Sequence, residues 1–123
     1  MASTELHEDP DVLQPYTIER HRAVASIMEE LEAVDWYDQR VDATKDEELK
    51  AILAHNRDEE KEHAAMVLEW LRRHDPALDA KLRTYLFSDK PILQIEADAE
   101  SKDGGTAGDG SLGIGSLRPQ ERA

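Results

Sequence analysis

Apolar and polar positions along the chain keep the period of a helix. Val24, Ile27, Met28, Leu31, Val34 and Val41 recur at three- and four-residue steps, with no proline or glycine between them. That spacing predicts one long helix over residues 17–43, with Thr17 as its cap. A second helix is expected at once. Thr44, followed three residues later by Glu47, reads as a capping box, which starts a helix near residue 45. It should run to about His74 and stop before Pro76, because the residue ahead of a proline resists helical geometry. About thirty residues at about 1.5 Å each give a rod of roughly 45 Å. So short a connection between two such rods predicts an antiparallel hairpin. Residues 77–87 predict a short third helix, with Leu78, Leu82, Tyr85 and Leu86 on one side, and Pro91–Ile95 a further helical turn. The expected class is all-α, with no internal repeat.

The pattern fades at both ends. Residues 1–16 are polar, carry Pro10 and Pro15, and are expected to be flexible. The helical part then covers 17–99. Residues 100–110 form a Gly/Asp-rich linker, and all six glycines of the chain fall between 104 and 115. In 111–123, Leu112, Ile114 and Leu117 are apolar and separated by glycines. On its own residues this segment reads as an ordinary disordered terminus. Extended, it would put Leu112 and Ile114 on one side, ready for pockets in a partner.

Composition narrows the function. Of 123 residues, 39% are hydrophobic, 35% charged and 5% aromatic. The core must be small, so association with further copies of the chain is plausible on size alone. The net charge of −13, from 15 basic and 28 acidic residues, argues against nucleic acid and anionic membrane and favours cations. The absence of cysteine excludes disulfides, zinc ribbons and thiol catalysis. No apolar run approaches the ~20 residues of a membrane span. Met1–Glu5 is polar and acidic, without the regions of a secretion signal, so a cytoplasmic protein, or one enclosed in something cytoplasmic, is expected.

The chemistry sits where the second helix breaks its own rule. At about 100° per residue, Leu49, Ile52, Leu53, Asn56, Glu60, His63, Val67, Trp70, Leu71 and His74 share one face. Glu60 and His63 interrupt it. A carboxylate and an imidazole in an apolar seam need compensation, and a metal ion is the simplest. Glu-x-x-His on a helix is also the motif of di-iron carboxylate proteins. On the first helix, Glu30 and Tyr37 lie on one line at the edge of the stripe, whereas Glu29, Glu32 and Trp36 project elsewhere. A full di-iron site takes one Glu from each of two helices and Glu-x-x-His from each of two others. Glu30, Glu60 and His63 are half of that inventory, and a two-fold pair of chains would complete it. Such donors suit iron, manganese or zinc, and the lack of thiolate argues against copper(I) and iron–sulfur clusters. The plain alternatives are a hydrogen-bonded Glu–His pair, a helical dimer that buffers divalent metal without turnover, and a cargo adaptor. His21, His55 and His74 have no partner at ligand spacing and read as solvated or packed.

Two long stretches, Met28–Tyr37 and Leu53–Met66, together with Leu82–Phe87 and the tail Gly110–Leu117, resemble the encapsulated ferritins, the short ferritin-like proteins carried inside encapsulin shells. The resemblance covers most of the chain. It implies a ferroxidase centre between two chains, with ligands at Glu30, Glu60 and His63 and with Tyr37 close by. It also implies a second metal site at Glu29 and Glu32 beside Trp36. Two irons are expected per subunit pair, with Ca, Mn or Zn able to occupy the same or the secondary acidic positions. The family resemblance further implies a ring of dimers, commonly a decamer, whose assembly metal promotes. Iron(II) would be oxidised and the mineral stored by the encapsulin nanocompartment, to which Ser111–Leu117 would dock.

Overall fold

A computed structural model describes residues 5–106, all helices and connections. A single 3₁₀ turn, Pro10–Val12, precedes helix α1 (Pro15–Ala43), α2 (Glu47–Arg73), α3 (Pro76–Tyr85) and α4 (Ile92–Thr106). No strand occurs among the described residues.

The helix starts differ from the sequence expectation, each for a local reason. The 3₁₀ turn lies inside the segment 1–16, where Asp9 accepts from the Asp11 amide at 2.9 Å. Helix α1 begins at Pro15 rather than Thr17, because proline suits the first helical position, where no amide proton is needed. Helix α2 is not opened by a Thr44–Glu47 box. Asp46 caps it, its Oδ1 accepting from the Leu49 amide at 2.9 Å, while Thr44 Oγ1 accepts from the Asp46 amide at 3.2 Å. Glu47 and Glu48 in the first turn and Arg72 and Arg73 in the last complement the helix dipole.

Two compact units divide at Leu71. In the first, the connection 44–46 turns α1 back along α2. Asp38 meets Arg57 and Glu30 meets Glu60 and His63, so the partner number rises as the first falls, as antiparallel helices require. The enclosed line of α1 runs Ala23, Ile27, Glu30, Val34, Tyr37 and Val41, and that of α2 runs Leu53, Arg57, Glu60, Ala64, Val67 and Leu71. Both lines keep the four–three step of packed helices. Ala23 and Ala64 are 8% exposed and Leu71 7%, the buried residues of the two lines. Leu31, placed by periodicity at the centre of the α1 stripe, is 53% exposed, and Ile52 is 50% exposed. Each helix is thus rotated slightly from its most apolar face, which turns polar residues inward.

In the second unit Asp75 caps α3, accepting from the Leu78 amide at 3.0 Å. Asp79 is gripped by two arginines: Arg72 Nη1 donates to Oδ1, and Arg83 Nε donates to Oδ1 and Oδ2 at 3.0 and 3.1 Å. The Arg72 hydrogen bond, followed by that of Arg83, holds the Asp79 carboxyl below its ordinary range. Phe87, after α3, takes a left-handed conformation (φ 63°). Helix α4 buries Ile95 and carries Asp98, which accepts from Gln94 at 2.8 Å and from Lys90 at 3.1 Å. The single turn expected at Pro91–Ile95 is therefore the start of a helix that reaches Thr106, inside the expected linker. The segment 111–123 lies outside the described residues.

Candidate metal centre

The site grows out of the two enclosed lines. On α1, Glu30 stands between Ile27 and Val34; on α2, Glu60 and His63 are one turn apart, where an i, i+3 step brings side chains together. Ligand atoms of Glu30, Glu60 and His63 lie within 4.8 Å of one another, all three residues half-buried. His63 Nδ1 is 3.4 Å from Glu60 Oε1, longer than a normal hydrogen bond, with side-chain exposures of 43% and 27%. Glu30 Oε1 is enclosed and has no hydrogen-bond partner. An orphaned buried acceptor costs about 1–3 kcal/mol, and more when charged. Three donors converging on one point, one of them unsatisfied, fit a divalent cation, and two carboxylates with an imidazole suit iron, manganese or zinc.

The remaining sequence candidates lie elsewhere on α1. Tyr37 is half-buried two turns along from Glu30, with the Arg40 guanidinium 5.5 Å from its ring centroid. Glu29 is exposed and Glu32 half-buried. Trp36, 42% exposed, lines an open depression with Gln39 and Arg40. Neither Glu29 nor Glu32 joins the three-donor cluster within one chain.

Sequence reasoning passed over Arg57, one helical turn before Glu60, and its two acidic partners. Arg57 Nη1 donates to Asp38 Oδ1 across the hairpin at 3.1 Å, and its Nε donates to Asp58 Oδ1 at 3.1 Å. The bond to Asp58, then that to Asp38, raises the Arg57 pKa, and Arg57 in turn lowers that of Asp58. The available signal was spacing: Arg57 is three residues before Glu60, but the apolar face pointed to Asn56 instead.

An encapsulated ferritin-like protein of Rhodospirillum rubrum is 61% identical over 126 residues, covering 95% of this chain and 90% of that one. An encapsulin nanocompartment cargo protein of Myxococcus xanthus is 49% identical over 51 residues, 42% of this chain and 39% of that one. A crystal structure of a protein from Nitrosomonas europaea superposes with a TM-score of 0.69 at 64% identity, covering 71% of this chain and 96% of that one. The model of the EncFtn-like family matches residues 5–89, which hold Glu30, Glu60 and His63. With the all-helical fold, the family match over residues 5–89 and a relative 61% identical over 90% of its own length, the chain belongs to the EncFtn-like family of encapsulin-associated, ferritin-like proteins.

Proposed function

We propose that the chain is a ferroxidase whose substrate is Fe(II), oxidised at a di-iron centre formed between two copies and passed on for mineral storage inside an encapsulin shell. The observation that carries this reading is the buried, unpartnered Glu30 Oε1 beside Glu60 and His63. One chain supplies two carboxylates and one imidazole, too few to hold two irons. A second copy about a two-fold axis supplies the same set again and turns two helices into a four-helix bundle.

In this reading neutral His63 and ionised Glu30 and Glu60 bind the Fe(II) ions. Carboxylates attract Fe(III) more strongly than Fe(II), which lowers the potential and favours electron loss to dioxygen. Glu29 and Glu32, with Trp36 beside them, would gather Fe(II) at the surface, and Tyr37 would stand near the reacting irons. The net charge of −13 draws cations toward the protein. Manganese, zinc or calcium would occupy the same donors without oxidation. A hairpin encloses no storage cavity, so the product must leave. The names of the Rhodospirillum rubrum and Myxococcus xanthus relatives support delivery inside a shell, with Ser111–Leu117 as the docking segment. A decameric ring of dimers is the assembly proposed.

Stopped-flow oxidation of Fe(II) tests the centre. Glu30→Ala, Glu60→Ala and His63→Ala are each expected to slow the fast phase by more than about tenfold, and specific activity should fall on dilution as pairs separate. Full activity in all three variants, or in a demonstrated monomer, overturns the proposal.

A further inference from the structure

Arg57 is a cation beside a centre that needs cations from outside. It precedes Glu60 by one helical turn, the spacing at which arginine and glutamate pair on a helix. It also occupies the same enclosed line: its side chain is 23% exposed, that of Glu60 27%. The guanidinium nevertheless turns away. Asp38 on α1 takes Nη1 and Asp58 takes Nε, both at 3.1 Å. Glu60 has His63 as its neighbour, and among the described residues no ion pair joins it to Arg57.

We propose that Asp38 and Asp58 hold the Arg57 guanidinium off Glu60, so that the Glu60 carboxylate stays open to a divalent cation. The inference rests on the reading of Glu30, Glu60 and His63 as metal ligands. Released, Arg57 would close on Glu60 with the planar fork geometry that suits carboxylates and would compete with the metal. Asp38 is then a positioning residue of the centre, acting through a side chain that touches no metal. The same contact also bridges α1 and α2, so a simple brace must be distinguished from a competitor held aside.

A double-mutant cycle on the full chain separates them, read as Co(II) affinity by visible absorption without dioxygen chemistry. Asp38→Asn is expected to weaken binding about three- to fivefold, in line with the strength of an ion pair whose carboxylate is exposed, and less at high salt. Arg57→Gln should bind at least as well as the unchanged protein, and Asp38→Asn with Arg57→Gln should return to within about twofold of it. A brace gives the opposite: Arg57→Gln alone weakens binding, and the double variant stays weak. Either result overturns the inference, as does Asp38→Asn binding normally. Absence of saturable Co(II) binding in the unchanged protein, or binding indifferent to Glu60→Ala, overturns the metal-centre reading and this inference with it. If Asp38→Asn loses helicity by circular dichroism, Asp58→Asn, which leaves the α1–α2 contact in place, should show a smaller loss of the same sign with the same rescue. No loss there, or no rescue, counts against the inference.

Discussion

A single oxygen atom holds the sharpest tension in the molecule. Glu30 Oε1 is enclosed without a partner, while the neighbouring Glu60 and His63 have each other at 3.4 Å. In the proposed centre that oxygen would destabilise the metal-free fold and serve as a ligand once metal is bound. Removing it should therefore separate stability from function. Glu30→Met fills the space with an unbranched apolar side chain. It is expected to raise the melting temperature of the metal-free protein by a few degrees, the effect of about 1 kcal/mol, while abolishing tight metal binding. Differential scanning calorimetry with a metal titration checks both halves. An unchanged or lower melting temperature would mean that the oxygen is not a strain in the metal-free state. The identities of Glu30, Glu60 and His63 as candidates were legible in the sequence, because a carboxylate and an imidazole in an apolar stripe are conspicuous against its period. Arg57 and Asp38 were not, since opposite charges nineteen residues apart in sequence carry no sign of where their helices will place them.

At the scale of elements, the helices announce themselves but their ends do not. Both Thr44 and Asp46 are good cap residues. Which one caps α2 depended on the backbone path through 44–46, and the Asp46 carboxylate reached the Leu49 amide. Likewise the Gly104-containing stretch was expected to be linker, yet α4 extends to Thr106 from its start after Pro91. Helix α3 is fastened by charge. Asp79, its side chain 16% exposed, lies between Arg72 and Arg83, which hold its carboxyl below the ordinary value of 3.8. A carboxylate with a depressed folded pKa contributes stability that is fully present above its unfolded value. That contribution disappears as pH falls below about 4 and through the depressed value. The unfolding midpoint of the unchanged protein should therefore drop across that acid window, and Asp79→Asn should start lower at neutral pH and lose part of the acid dependence. Denaturant titrations at pH 7 and in steps below pH 4 read this out. Equal acid sensitivity in the two proteins would remove Asp79 from the account.

The whole molecule leaves much apolar surface uncovered. Leu31, Ile52 and Met66 are 53%, 50% and 59% exposed, and no described helix is long and apolar enough to cross a membrane. A hairpin alone has one seam and two outer faces, so its apolar residues outnumber the places that seam can hide them. The second copy that the proposed two-chain centre requires would cover part of that apolar surface. The division of labour along the chain gives a separate expectation. Removing residues 111–123 should leave Fe(II) oxidation within about twofold, since the candidate ligands lie far upstream, and should reduce co-purification with encapsulin by more than about tenfold. Undiminished loading of the shortened chain would refute docking through Ser111–Leu117.

The order and kind of structure followed from the sequence alone: all-α, two long helices joined by a tight turn, a shorter helical part after Pro76, and an acidic chain with three candidate ligands. Period, prolines and residue chemistry are local properties, and local properties survive being read one residue at a time. Tertiary packing decided how far each helix rolls about its own axis. The enclosed lines run through Ala23 and Ala64 and include Glu30, Tyr37, Arg57 and Glu60, and Leu31 and Ile52 were left outside. Apolar periodicity favours the greasiest face, but close packing of two rods selects the face whose shapes fit. Here the enclosed faces bring the candidate ligands Glu30, Glu60 and His63 together and leave Glu30 Oε1 without a hydrogen-bond partner.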